Sequence, residues 1–170
     1  MYFTTMNHLS RFILFSAIIC LLLPIACMRY SFSGTSLPAH IKSVSIPLFD
    51  NLTPKAGLEE NIRDKIWQSF QAANIADIKR TDGDALLRLT LTDYINAPDG
   101  YDVSGNVRSY KVTLVADVDF FDNKENVSLY KEKITVSGVY NLSGETEETG
   151  LNIAIGSLTE IVLNNTLRGF

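Results

Sequence analysis

The chain is poor in the residues from which most active sites are made. Its 170 residues include two cysteines, two histidines and one tryptophan. Cys20 and His8 lie in an apolar N-terminal stretch, so Cys27 and His40 are the sole residues of their kinds beyond it. A zinc site built of His and Cys cannot be assembled from that pair. A Ser-His-Asp site would have to use His40, which opens a short strand pattern with no nucleophile motif beside it and reads as a surface or capping histidine. Glycine-rich phosphate loops are also missing, Gly100 to Gly105 being too sparse. No cofactor is expected, and the composition argues against an enzyme. Charge of one sign is scarce too: 15 bases stand against 19 acids, a net −4, which gives no polycationic surface for nucleic acid. The longest apolar run, Phe12 to Leu23, is about a dozen residues, short of the ~20 that span a bilayer as a helix.

What is present divides unevenly. Between Met1 and Ala26, 18 of 26 residues are apolar and none is acidic. The remaining 144 residues are about 42% apolar, an ordinary value for a water-facing domain, and carry −5. Arg11 ahead of the apolar run makes a short positive n-region and h-region, the secretory pattern, and Met6 serves as well as Met1 for the start. The run closes Leu23-Pro24-Ile25-Ala26-Cys27, which resembles a bacterial lipobox with Leu one place early. Residues 1–26 then read as a lipoprotein signal peptide and Cys27 as the lipidated mature N-terminus. Residues 27–39 follow as anchor and extended lead-in, and 40–170 as one domain. An ordinary signal peptide cleaved near Ala26 would instead leave one odd cysteine.

Along the body, His40 to Leu48 alternates around Val44, Ile46 and Leu48 and predicts a strand that Pro47 ends or confines to an edge. Leu58, Ile62, Ile66 and Phe70 recur every four residues and predict a helix from just after Gly57 to about Ala73–Asn74, with Glu59 and Glu60 in its first turn. Ala85 to Ile95 follows as a strand with Leu87, Leu89 and Leu91 inward. Asn96 to Asn106 reads as a long loop, plausible for contact with a partner. Val107 to Phe121 alternates with Tyr110, Val112, Leu114, Ala116, Val118 and Phe120 on one face. Val127 to Tyr140 is a further strand, with Tyr130, Ile134 and Val136 inward. Thr146 to Arg168 is a second helix, weakened by Gly150 and Gly156 and capped by Gly169. The expectation is α+β: a two-layer sandwich, order βαβββα, with two helices on one face of a four-stranded mixed sheet. The other face, with Lys111, Thr113, Asp117 and Asp119, is left to solvent or to a partner. Asp117 and Asp119 point the same way, but Lys111 beside them makes this a solvated polar face rather than an acid–base pair.

A family comes into view after Cys27. Tyr30-Ser31-Phe32-Ser33-Gly34, then Ile46-Pro47-Leu48-Phe49-Asp50-Asn51-Leu52-Thr53 ahead of a Glu-rich helix, and the ending Leu167-Arg168-Gly169-Phe170, together resemble the lipopolysaccharide-assembly lipoprotein family, LptE. Met28-Arg29 intervene where that family often has Gly-Tyr directly after the lipid cysteine. The resemblance implies a two-helix, four-stranded sandwich at the periplasmic face of the outer membrane, held by N-terminal lipid. It implies that the body plugs and helps assemble the β-barrel LptD and assists in handing over lipopolysaccharide. If lipopolysaccharide is touched, its phosphates call for Lys or Arg. The candidates are Arg88, Arg108, Lys111, Lys131 and Lys133, all on strands or their ends. The stretch Ile46 to Thr53 also resembles periplasmic lipoproteins that activate peptidoglycan synthesis or build secretion channels, although those have more βα units.

Overall fold

The structure, a computed structural model, describes residues 37–168. The leader, Cys27, most of the lead-in and the Gly169 cap lie outside the described residues. In chain order the elements are β1 (Ser43–Ser45), β2 (Asp50–Asn51), α1 (Leu58–Ala73), β3 (Asp77–Lys79), β4 (Ala85–Tyr101), β5 (Val107–Asp122), β6 (Val127–Asn141) and α2 (Glu147–Arg168). Two helices and a mixed sheet make the fold α+β. The sheet runs β3-β1-β4-β5-β6, with β2 also on β4. β1 and β2 lie parallel to β4, β3 lies parallel to β1, and β4, β5 and β6 form an antiparallel meander.

The described sheet has six strands where four were expected, and the order is ββαββββα. Proline explains the first difference. Pro47 has no N–H to give a ladder, so the expected His40–Leu48 strand is cut short to β1, and pairing with β4 resumes only beyond its expected end, in β2. The interruption shifts the alternation by one residue. Val44 and Ile46 are buried, but Phe49 takes the next inward place and Leu48, expected inward, is 53% exposed. β3 is three residues long, too short to show a period of two, and only Ile78 packs against the core.

The Asn96–Asn106 loop is also corrected. β4 continues to Tyr101 and meets β5 in a turn in which Asp102 accepts the Ser104 and Asn106 N–H groups at 2.8 and 2.9 Å. Gly105 supplies the left-handed φ of +83° that this turn needs. Pro98 and Gly100 fall at breaks in the β4–β5 register instead of ending the strand.

Both helices form where the apolar spacing puts them. Leu58, Ile62, Ile66 and Phe70 of α1 are buried, and Asn74 ends it in the left-handed region with its N–H on the Gln71 carbonyl. Leu151, Ala154, Ile155, Leu158 and Val162 of α2 join the same core. These side chains pack with Leu87, Leu89 and Leu91 of β4, Val112 to Phe120 of β5, and Ile134 and Val136 of β6. Full burial of each large one contributes about 1.5–3 kcal/mol.

Gly150 has a packing reason that helix propensity alone hides. A Cβ on Gly138 of β6 would stand 2.0 Å from the Gly150 carbonyl oxygen. One on Gly150 would stand 2.8 Å from the Tyr140 ring. The two glycines let α2 lie directly on the outermost strand. Among the described residues, no helix is long and apolar enough to cross a membrane.

Candidate functional site

On the sheet face turned away from the helices, the strand register sets bases against acids in rows. Arg88 of β4 lies opposite Asp119 of β5, which lies opposite Lys131 of β6. The next row is Thr90, Asp117 and Lys133. Arg88 Nη2 is 2.9 Å from Asp119 Oδ2, and its guanidinium sits 4.5 Å from the Phe121 ring centroid. Lys133 Nζ is 3.4 Å from Asp117 Oδ1. Lys111, opposite Ala97 and Val139, bonds Asp99 Oδ1 at 2.7 Å. Partly exposed pairs of this kind contribute roughly 0–1 kcal/mol each. Their main effect is to leave the face polar yet locally neutral.

Four of the five expected bases therefore share one face. Arg88, Lys111 and Lys133 are engaged by carboxylates, while among the described residues Lys131 has no ion-pair partner. Arg108 stands apart from these rows. It falls where the β4–β5 register breaks, between Gly100–Ser109 and Tyr101–Val107.

Further along, the face changes character. Ile95 and Val139 are 45% and 40% exposed beside Thr113, Thr135 and Ser137, with Lys111 directly opposite Val139. Beyond them the hairpin tip exposes Tyr101 and Val103. A bulge causes the change. The β4–β5 register steps from Leu91–Ala116 to Asp93–Val115, so Thr92 is an extra residue, its Oγ1 donating to the Val115 carbonyl at 3.3 Å. Alternation inverts there: Leu87, Leu89 and Leu91 face the helices before it, and Tyr94 and Asn96 after it. The skipped step between Leu91 and Tyr94 is visible in the sequence, and reading Ala85–Ile95 as one regular strand passes over it.

Tyr94 and Asn96 converge on Glu147, in the first turn of α2. Tyr94 Oη donates at 2.5 Å, Asn96 Nδ2 at 2.9 Å and Lys55 Nζ at 2.5 Å. Lys55, then Tyr94, hold the Glu147 carboxyl below its ordinary range against the opposing effect of burial. The helix N-terminus favours the same charge. The Asp50–Thr53 stretch braces this end: Asn51 donates to the Lys55 carbonyl and to Glu59 and accepts from Thr53.

The opposite end of the sheet holds a second cluster. His40 Nε2 bonds the fully buried Asp122, which also accepts the Lys124 and Glu125 N–H groups at 2.8 and 3.1 Å. Burial pushes the Asp122 carboxyl up, but His40 and the hairpin amides outweigh it and hold the group below the usual range. Lys124 Nζ donates to the His40 carbonyl at 2.8 Å and pairs with Asp84 at 2.9 Å. Asp84 also accepts the Lys42 and Ser43 N–H groups. Lys124 first, then Lys42, pull the Asp84 carboxyl far down. His40 thus ties the entry of the chain to the β5–β6 hairpin. Among the described residues, no three His, Cys, Asp or Glu side chains are grouped to hold a metal.

The fold is shared with solved structures of very different sequence. A Xanthomonas campestris protein of family DUF330 matches with a TM-score of 0.56 at 11% identity, over 79% of this chain and 91% of that one. The PelC dodecamer of Paraburkholderia phytofirmans matches with 0.51 at 12% identity, over 73% and 90%. The rare lipoprotein B of Shewanella oneidensis gives 0.47 at 12% identity, over 74% and 90%. No curated protein matches the chain. The family model described as lipopolysaccharide-assembly matches residues 41–164, from the end of the lead-in almost to the end of α2, and the chain belongs to that family, LptE.

Proposed function

We propose that the chain is the lipid-anchored subunit of an outer-membrane lipopolysaccharide translocon, seated in the lumen of the β-barrel LptD and assisting its assembly. The observation that carries this reading is the family match over residues 41–164. In this reading residues 1–26 are the signal peptide, Cys27 takes the lipid at the periplasmic face, and the domain from residue 40 is the plug. No step in it requires a catalytic group or cofactor.

The surface is consistent with such a role. Barrel interiors are polar, and the open sheet face offers rows of paired charges and hydroxyls, with Ile95 and Val139 exposed beyond them. The projecting hairpin, with Tyr101 and Val103 exposed, gives a contact reaching beyond the sheet. Lipopolysaccharide phosphates would be met by Lys131 first, because Arg88, Lys111 and Lys133 must leave a carboxylate before taking one. Arg108 lies apart from them.

The test is affinity purification of the full-length protein from detergent-solubilised outer membranes. Co-purification of a single large β-barrel is expected, and recovery of a penicillin-binding protein in its place would overturn the reading. For the lipopolysaccharide contact, Lys131→Glu should weaken binding of purified lipopolysaccharide more than Lys133→Glu does. Equal binding by wild type and both variants removes these bases from the site.

A further inference from the structure

The sheet ends at β6, and among the described residues no strand lies outside it. The direction of its backbone groups follows from the register. The Leu142 N–H bonds the Arg108 carbonyl at 3.0 Å, and in an antiparallel ladder every second pair exchanges such bonds. Counted back from that pair, Tyr140, Gly138, Val136, Ile134 and Glu132 turn their N–H and carbonyl groups to β5. Lys131, Lys133, Thr135, Ser137 and Val139 turn theirs outward. Asn141, next in the outward set, is already closed: its N–H donates to Glu145 Oε2 at 2.6 Å, and its carbonyl accepts the Glu145 N–H at 3.0 Å. The open edge therefore runs from Lys131 to Val139.

The two sides of this edge differ. On the helix side, α2 lies directly on β6: a Cβ on Gly138 would stand 2.8 Å from Ile153 Cβ, and Asn165 Nδ2 donates to Glu132 Oε2 at 2.8 Å. Ile153 is nevertheless 48% exposed and gives an apolar shelf beside the edge. On the open face, the outward residues carry Lys131 and Lys133 at one end and neutral Thr135, Ser137 and Val139 at the other. Lysines on an edge strand repel chance pairing. They also select, because an acidic strand meets them favourably. Lys131 has no ion-pair partner among the described residues, and Lys133 stands 3.4 Å from Asp117 in a partly exposed pair.

A second copy of the chain does not fit this edge. Joined antiparallel through β6, the two α2 helices would lie one strand spacing, ~4.8 Å, apart, whereas packed helices need about 8–10 Å. We propose that the β6 edge takes up an extended segment of a partner protein as a further strand, with acidic side chains against Lys131 and Lys133 and an apolar side chain on the other face against Ile153. The outward main-chain groups supply the hydrogen bonds, and the alternate side chains supply selectivity. The inference does not rest on the barrel reading. It shares Lys131 with the lipopolysaccharide contact proposed above, but a lipid phosphate would leave the main-chain groups from Lys133 to Val139 unused.

The test uses full-length protein in detergent micelles and the fluorescein-labelled, capped peptide Thr-Val-Thr-Val-Thr-Val-Glu-Val-Glu, written to run antiparallel to β6. Its counterpart carries Lys for Glu. A saturable rise in anisotropy is expected with the acidic peptide, about tenfold tighter than with the lysine peptide. Bound acidic peptide should slow amide hydrogen exchange at Lys131, Lys133, Thr135, Ser137 and Val139 more than at Ile134 and Val136, whose N–H groups β5 already holds. Lys131→Glu should weaken the acidic peptide about tenfold, through the lost pair and like-charge repulsion, and favour the lysine peptide. Ser137→Pro removes one outward N–H, which an edge strand tolerates, and should weaken the acidic peptide at least as much. Unchanged thermal unfolding of both variants would show that the fold survives, and the exchange pattern of the unsubstituted protein decides the matter if it does not. The proposal is overturned by no binding, by equal binding of both peptides, by slowed exchange confined to residues outside β6, or by acidic-peptide binding that a folded Ser137→Pro variant leaves intact.

Discussion

One substitution, made at two glycines, should act with opposite signs. Gly156 lies within α2, and a Cβ built on it meets nothing within 4 Å. Gly156→Ala therefore gains the helix propensity difference of about 1 kcal/mol and gives up no contact. Gly138→Ala puts its Cβ 2.0 Å from the Gly150 carbonyl oxygen and 2.8 Å from Ile153 Cβ. Neither the helix backbone nor a Cβ can turn aside, so α2 must lift from β6 at an overpacking cost of about 1–3 kcal/mol or more. The roughly 130 described residues, at about 2.1 cal/mol/K each, give an unfolding entropy near 0.28 kcal/mol/K, so 1 kcal/mol moves the midpoint by about 4 °C. Gly156→Ala should raise Tm by about 4 °C, and Gly138→Ala should lower it by about 4–11 °C. The assay is thermal unfolding followed by circular dichroism at matched detergent and protein concentration. A Gly138→Ala variant as stable as wild type would refute the argument that the glycine pair sets the seating of α2. A Gly156→Ala variant that loses stability would show that Gly156 faces a neighbour.

Acid should unfold the domain late. Asp84, Asp122 and Glu147 all have carboxyl groups held below the ordinary range. Their ionised forms therefore contribute fully above the unfolded carboxylate pKa of about 4, and the contribution is lost as pH falls from there toward the folded values. The urea midpoint should stay level from pH 7 to 5 and drop below about pH 4. Asp84→Asn should shrink that drop, whereas a loss that sets in between pH 7 and 5 would contradict it. At the other end, Glu147→Ala removes the acceptor shared by Tyr94, Asn96 and Lys55 and should cost about 0.5–1.5 kcal/mol in urea unfolding, because water reaches Lys55 and Asn96 keeps Tyr140, with Tyr94→Phe costing less. Equal stability of the Glu147→Ala variant would remove this carboxylate from the supports of α2.

The parts of the fold legible in the sequence are those with a sustained period. α1 repeats an apolar residue every four places, and β5 alternates from Tyr110 to Phe120, so both are plain without a structure. The parts not legible are those in which one residue breaks a period. Pro47 cuts a strand short and moves the inward place from Leu48 to Phe49. Thr92 inverts the faces of β4. Pro98 and Gly100 look like loop residues, yet they lie in a strand because the register around them yields. The open face was legible as polar, and its bases as strand residues, but not that four of them are neighbours, which the strand register decides. The carboxylates that hold three of them were less legible still, because pairings such as Lys111 with Asp99 depend on a hairpin register that no local pattern encodes. Glu147 reads as an ordinary first-turn acid, and its role appears only once the bulge brings Tyr94 and Asn96 under it.

The alternating rows on the open face have an electrostatic consequence. Arg88 with Asp119, Lys133 with Asp117 and Lys111 with Asp99 are dipoles a few ångströms long. The field of such dipoles fades well within the screening length of about 8 Å at physiological ionic strength. The paired groups therefore exert little pull beyond contact distance, and the unpaired Lys131 is left as the main source of a salt-screened field on this face. Under the proposed plug role, such a surface would be enclosed once, as the barrel closes around it, and not captured repeatedly from solution.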